Sequence, residues 1–598
     1  MIVYRDVIRR IDTLAAVARL RHLVRPETVT EFLVEAGEFE QGVLDALHDR
    51  RDAWDDTAAL LRGLSLAAGT AFVALSPGRG EANSAEQAPP EIAARIDPAR
   101  RPGPGAAAAW QRQALDFLDR LAGADLPPSL LVKAPEGYAH YGLDPAAYAD
   151  AAHRYVRDVG AAAARRALVV GVRTIGTSLS AVVPAVCGTE RSVTVRPRGS
   201  TGARHIRADG SLMTRMRSLL DGAGDVLVVD EGPGATGETV ECVTAWLRSI
   251  GVPPDRIVLM VSADSAMPLA PEPRRNWFRQ TRKFLPPHSD DRPATIAARL
   301  GLSTPEALGA GRWRTVVRGA ASFPACVGFE RAKYRARDSA GRYWQIRYAG
   351  LGRWLEELCA RADRLAAAGL GMPVRAASAG FIVAPWVDGR PLHRGCAPDR
   401  ALLRSLERYL VGRAGRFRTG EPVWIGLFLE MLLENAAAAL GPDSPALTVW
   451  ARRLEALPCR EAVIPDARLR PFEWLRTPHG YVKVDALDHG DGFRFPGPTD
   501  AAWDLAGAAV EFELDPATLH LLVRRCARAG GESWRELAAA VEAYMPVYAA
   551  CSYGEAELSS REATSSGDRR RLLAEAAVYA RSLVAQAARA GSVPCDVA

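Results

Sequence analysis

Residues 226–239, VLVVDEGPGATGET, carry an apolar run into two adjacent acids, Asp230 and Glu231, and then into a glycine-rich turn that opens a helix. Such a turn aims backbone N–H groups at an anion, and the helix dipole adds to their pull. Gly234, Ala235, Thr236, Gly237 and Thr239 would line it, the two threonines adding hydroxyl donors. The acids cannot serve the same anion, because like charges repel. They suit the hydroxyls of a sugar, or a Mg2+ ion, which prefers hard oxygen ligands. About sixty residues upstream, residues 167–179, ALVVGVRTIGTSL, repeat strand, glycine turn and helix start without the acids, and offer Gly171, Arg173, Thr174, Gly176 and Thr177 to a second anion. Between the two turns a glycine-broken stretch holds Arg196, Arg198, Arg204, Arg207, Arg215 and Arg217, which could close over an anionic substrate and exclude water.

Acid pair, phosphate turn, upstream turn and basic stretch together resemble type I phosphoribosyltransferases over about residues 125–265. The resemblance implies a Rossmann-like parallel-sheet domain that binds phosphoribosyl pyrophosphate or another phosphorylated ribose with Mg2+. On that reading Asp230 and Glu231 are the catalytic and metal-binding acids at the ribose, residues 236–239 hold the 5′-phosphate and residues 171–177 the pyrophosphate. The turn has one residue more between the acids and Thr236 than the family pattern. Residues 133–142, KAPEGYAHYG, are either the hood that recognises the acceptor or a plain turn with core tyrosines.

Further along, residues 379–392, AGFIVAPWVDGRPL, resemble the hinge strand of the aminoglycoside phosphotransferase and protein-kinase-like superfamily. The resemblance implies a basic residue on the preceding strand, here Arg347 where kinases place Lys, with Glu357 on the next helix as its partner. It also implies a catalytic Asp466, which orients a hydroxyl nucleophile, and nineteen residues later a metal-binding Asp485, with ATP as the nucleotide. Residues 500–506, DAAWDLA, follow as in those phosphotransferases. Ile464 stands where a His is expected, and the metal-binding Asn is missing, with Glu473 its nearest substitute. Asp488, His489 and Asp491 crowd the site and could compensate, and there is no GxGxxG loop.

The elements that must position these residues divide the 598-residue chain. Apolar spacings of three and four predict helices over residues 1–83, and a Pro- and Gly-rich linker covers 84–108. Strands alternating with helices predict a parallel-sheet phosphoribosyltransferase-like domain over 109–312, and an α+β kinase-like domain fills 313–598, an α/β multidomain chain. An apolar fraction of 48% and a charged fraction of 24% indicate packed cores, and a net charge of +6 is too diluted to argue for nucleic acid. Nine cysteines without a CxxC pair, and no long apolar run, point to a reduced cytoplasmic protein without membrane spans; a homo-oligomer is compatible. The Ala- and Arg-rich composition is of the kind that GC-rich bacterial genomes produce. The expected activity is phosphoribosyl transfer. The alternatives are a ligand sensor and a small-molecule phosphotransferase acting on a phosphoribosylated substrate.

Overall fold

The computed structural model describes residues 8–47, 55–75, 104–200, 202–234, 236–263, 267, 270–287, 290–490 and 495–591. The chain is a multidomain α/β protein with two compact units, one comprising Ile8–Arg292 with Gly350–Trp354, the other running from Pro293 through the rest of the chain.

In the first unit, strand β1 (Ile8–Asp12) precedes helices α1 (Thr13–His22), α2 (Val29–Leu47) and α3 (Asp55–Leu75), and strand β2 (Ser129–Lys133) follows a helix at Pro104–Ala122. Then come β3 (Leu168–Val172), β4 (Ser192–Val195), the short hairpin β5 (Pro197–Arg198) and β6 (His205–Ile206), β7 (Val226–Val229) and β8 (Ile257–Met260). β3, β4, β7 and β8 make a parallel sheet in the order β4-β3-β7-β8. All four are buried along their whole length, which is why they read as unbroken apolar runs: helices cover both faces. Leu179 and Val183 of the helix Ile175–Cys187 pack on one face, and Val240 and Val243 of the helix Glu238–Ser249 on the other.

Four expectations change here. Residues Ile8–Asp12, taken as helical, form β1, which pairs antiparallel with β2, so β2 stands outside the parallel sheet. The alternating exposure of IRRID is the two-residue period of a strand, which overrode the helical reading. The N-terminal helices share a core with the sheet layer: Phe32, Phe39, Leu61 and Leu64 cluster with Ala181 and Val182. At that crossing a Cβ on Gly69 would lie 2.1 Å from the Ala181 carbonyl oxygen, so only glycine lets the helices meet. Among the described residues α3 is also the one helix apolar and long enough to cross a membrane, over Asp56–Leu75, where no such run was expected; half of that stretch is buried in this core. Of the expected linker, residues 84–103 lie outside the described residues, and 104–108 open the helix Pro104–Ala122.

In the second unit β9 (Glu306–Ala307), β10 (Lys333–Arg337), β11 (Tyr343–Tyr348), β12 (Ala376–Ser378) and β13 (Phe381–Pro385) build an antiparallel sheet in the order β12-β13-β11-β10-β9. Because β9 pairs with β10, residues from Pro293 belong to this unit, twenty residues earlier than the expected boundary. β14 (Arg390–Pro391), β15 (Arg418–Pro422), β16 (Glu461–Val463), β17 (Trp474–Thr477) and β18 (Gly480–Lys483) lie among long helices. The core there centres on Phe428, Phe495, Trp503 and Tyr544, whose rings meet edge-on or tilted, the arrangement that aligns positive edges with negative faces.

Candidate functional site

A cavity of about 320 Å3 in the second unit gathers the charged residues of its sheet and loops. Val374, Ile382, Ala384 and Trp386 give it an apolar wall suited to a flat ring, and Asp485, Asp488, Lys333 and Arg347 line its charged part. Lys333 and Arg347 are directly opposed across β10 and β11, so both reach the same place. The Lys333 ammonium lies 2.9 Å and the Arg347 guanidinium 3.4 Å from the Asp485 carboxylate. Burial works against that carboxylate's charge, but Lys333 and Arg347 outweigh it and hold Asp485 well below the usual carboxylate range.

The loops that deliver the two aspartates are locked. Asp504, in the helix Ala502–Glu511, accepts hydrogen bonds from the backbone N–H of Asp466 (2.8 Å) and of Ala467 (3.0 Å). Buried Arg413 donates to the carbonyls of Pro465 (3.0 Å) and Ala486 (3.1 Å), tying the two loops together. Ala467 (φ 68°) and Asp485 (φ 56°) are left-handed, a conformation costing a non-glycine residue about 1 kcal/mol that surroundings this well bonded can impose.

Asp466 is paired with Lys483 at 3.2 Å, and Lys483 also lies 2.9 Å from Glu473. His489 stands 3.5 Å from Asp466, 3.9 Å from Glu473 and 3.7 Å from Asp485. Burial opposes a charge on this imidazole, but Glu473, Asp466 and Asp485 together raise it to about 9, so it is a cation at neutral pH. Ligand atoms of Asp466, Glu473 and His489 come within 4.8 Å of one another, but the Lys483 ammonium bridges the two acids. Glu357 corrects an expectation. It is exposed, because Leu358, Ala362 and Leu365 form the inward face of its helix, and Arg347 instead pairs with Asp485 and Asp488. Asp488 is further engaged by Arg331, and Asp491 lies outside the described residues. The link from β9 to β10 is held down by Phe323 stacked on Phe472 and by Arg314 paired with Asp568.

In the first unit the chain leaves β3 for β4 on one side and crosses back to β7 on the other. Such a reversal opens a crevice at the carboxyl ends of β3 and β7. Both glycine turns sit there side by side: a Cβ on Gly176 would lie 2.7 Å from the Val229 carbonyl oxygen and 3.6 Å from the Asp230 Cα. Thr174 has φ 139° and ψ −110°, a conformation nearly restricted to glycine and the kind of strain that marks ligand-clamping loops.

Asp230 is buried, and its carboxylate accepts the Glu231 N–H at 2.8 Å. The Glu231 carboxylate accepts the N–H of Gly137 at 3.1 Å. Burial raises Asp230 to about 7 and, with Glu136 and Asp230 nearby, Glu231 to about 8; Glu136 itself is raised to about 7. These acids are therefore partly protonated at neutral pH. Thr239 accepts from Arg204 of the basic stretch at 3.0 Å, and Thr236 accepts from the Glu238 N–H at 3.4 Å. Gly234 is exposed, Gly237 is buried, and both are left-handed, while Ala235 lies outside the described residues.

Other expected contributors face elsewhere. Gly171 is pressed against Ser180, and the Thr177 hydroxyl is sealed in the core. Arg173 pairs with Asp45 of α2 at 3.1 Å, beside Arg196, which also donates to the Thr174 hydroxyl at 2.9 Å. Of the two tyrosines in residues 133–142, Tyr138 is a core residue, as is His140, whereas Tyr141 is exposed. Lys333, Lys483, Arg413 and Arg331 escaped the sequence reading because a lone basic residue carries no spacing signal. Asp504 was visible as a motif letter but not as the anchor of the loop that carries Asp466.

No family profile matches this sequence, and no curated protein matches it. Among solved structures, the chain is similar to the macrolide 2′-phosphotransferase MphH from Brachybacterium faecium, at 18% identity over 49% of this chain and 98% of that one, with a TM-score of 0.31. Choline kinase LicA from Streptococcus pneumoniae is 12% identical over 48% of this chain and 97% of its own, with a TM-score of 0.31. An aminoglycoside phosphotransferase from Alicyclobacillus acidocaldarius is 15% identical over 44% of this chain and 91% of its own, with a TM-score of 0.29.

Proposed function

We propose that the second unit is a small-molecule phosphotransferase, moving a phosphoryl group from a nucleotide such as ATP to a hydroxyl of a small acceptor. The observation that supports this most directly is the pair Asp466 and Asp485, on two mutually tied loops, with Lys333 and Arg347 on the strands opposite. Asp466 would orient the acceptor hydroxyl and receive its proton. Lys333 and Arg347 would neutralise the transferring phosphates, and the apolar wall would take the base.

The residues fit Mg2+ only when it arrives with phosphates. Arg331, Lys333, Arg347, Lys483 and His489 put five cations against the four carboxylates Asp466, Glu473, Asp485 and Asp488. A bare divalent ion adds to that excess, whereas a metal–triphosphate complex is anionic and reverses it. Asp485, the most exposed of the four carboxylates at 27%, would hold the ion, which when bound draws charge off the phosphates. Magnesium chloride alone is therefore expected to leave the melting temperature unchanged, and MgATP near a hundredfold excess over its Kd to raise it by about 4 °C or more. Thermal unfolding with each addition decides it. Stabilisation by Mg2+ alone, or none by MgATP, overturns the reading.

A second reading is favoured by one observation, the adjacency of the two glycine turns at the β3–β7 reversal: the first unit would bind a phosphorylated ribose there, with Asp230 and Glu231 toward the sugar. Calorimetric titration with phosphoribosyl pyrophosphate and Mg2+ at about pH 8, where Asp230 is mostly ionised, is expected to show binding that weakens by about tenfold or more in Asp230→Asn, the loss of a charged hydrogen-bond acceptor. No heat, or unchanged affinity in that variant, counts against it. Release of pyrophosphate would further distinguish transfer from sensing.

A further inference from the structure

Ligand atoms of Asp466, Glu473 and His489 converge as donors around a divalent ion do, yet a side chain of the same hairpin occupies the space between the two acids. Strand pairing puts it there. Lys483 lies opposite Trp474 in β17 and β18, and the Glu473 carbonyl accepts the Val484 N–H at 2.8 Å, which carries the pairing one step further. The Lys483 ammonium has three protons to donate and meets three acceptors: the Glu473 carboxylate at 2.9 Å, the Val484 carbonyl at 3.0 Å and the Asp466 carboxylate at 3.2 Å. Its side chain is 1% exposed, so it has no solvent to swing into. His489 spans the other side, with Nδ1 3.5 Å from Asp466 and Nε2 3.7 Å from Asp485. In protein kinases two magnesium ions are held by the strand-borne aspartate and by an Asn of the catalytic loop. Here that Asn is missing, and its nearest substitute, Glu473, is the acid that Lys483 engages.

We propose, resting on the phosphotransferase reading, that Lys483 is a built-in cation in the place of a second divalent ion between Asp466 and Glu473. Phosphoryl transfer then runs with one ion, the one that arrives with the nucleotide at Asp485. Magnesium demands near-octahedral oxygen ligands at about 2.0–2.1 Å and keeps several waters, so it cannot share with a buried ammonium the two carboxylates already drawn to that ammonium. Lys483 supplies one charge where an ion would supply two, but it is present whatever the free metal concentration.

Counting bound manganese on the full chain tests this, because Mn2+ shares the preference for oxygen ligands and is visible by electron paramagnetic resonance. With a non-hydrolysable imido analogue of ATP at saturation, one Mn2+ is expected per bound nucleotide; two overturn the proposal. Lys483→Met frees both carboxylates, and this variant is expected to take up a second Mn2+ with the nucleotide. Without nucleotide it should bind Mn2+ about tenfold or more tightly than the parent, since a like charge at close range is gone. Adding Glu473→Gln should abolish that gain, which places the new ion on that acid. No second ion in Lys483→Met, or a gain that persists in the double variant, overturns the proposal. If Lys483→Met does not fold, the count on the parent decides by itself. Failure of the nucleotide to bind sinks the phosphotransferase reading alone, because the metal-only comparison still asks whether Lys483 keeps an ion off these acids. A parent that binds Mn2+ as tightly as the variant shows that it does not.

Discussion

Asp466→Asn is expected to slow phosphoryl transfer by about 100- to 10,000-fold while donor affinity stays within about threefold of the parent. Asparagine keeps the shape but cannot accept the proton. Lys483 and the other cations nearby hold the Asp466 carboxyl below the usual range against the pull of burial, so it is a weak base. That suits phosphoryl transfer, whose loose transition state asks for a nucleophile held in line more than for early removal of its proton. The substitution leaves Lys483 with Glu473 at 2.9 Å, so no buried cation is orphaned and the fold should survive. Steady-state nucleotide turnover with candidate hydroxyl acceptors, or to water, measures kcat and KM separately. Retention of more than about a tenth of kcat would remove Asp466 from the reacting centre.

Arg62→Met is expected to cost the first unit about 3–5 kcal/mol, the usual result of stranding one partner of a buried ion pair. The Arg62 and Glu40 side chains are 2% and 0% exposed. Arg62 donates to Glu40 on α2, to Thr177 and Ser180 on the helix after β3, and to Ser192 on β4, so one side chain joins the N-terminal helices to the sheet layer. Arg62→Lys should recover little, because an ammonium cannot span acceptors laid out for a planar fork. Adding Glu40→Gln to Arg62→Met should restore part of the loss by removing the stranded charge. Urea denaturation followed through the first unit's transition gives the numbers, and a loss below about 1 kcal/mol would show that the helices are held by apolar packing alone.

What could be read from the amino-acid order was local. VLVV and LVVGV announce strands buried on both faces because burial on two sides demands unbroken apolar runs. The turns that follow each are written in contiguous glycines and threonines. Asp466 and Asp485 stood out as candidates for the same reason, since each sits at the end of a short segment with its own chemistry. Partnership between distant segments was not legible. Arg347 meets Asp485 and Asp488 rather than Glu357 because strand register and helix phase, set by packing, decide which side chains point together. Arg173 turns to Asp45, 128 residues earlier, because α2 packs against the sheet layer instead of standing apart with its neighbours. Charges find partners through space, and in this chain the burial of Gly69 against Ala181 and of Arg62 among three elements sets the distances over which they do so.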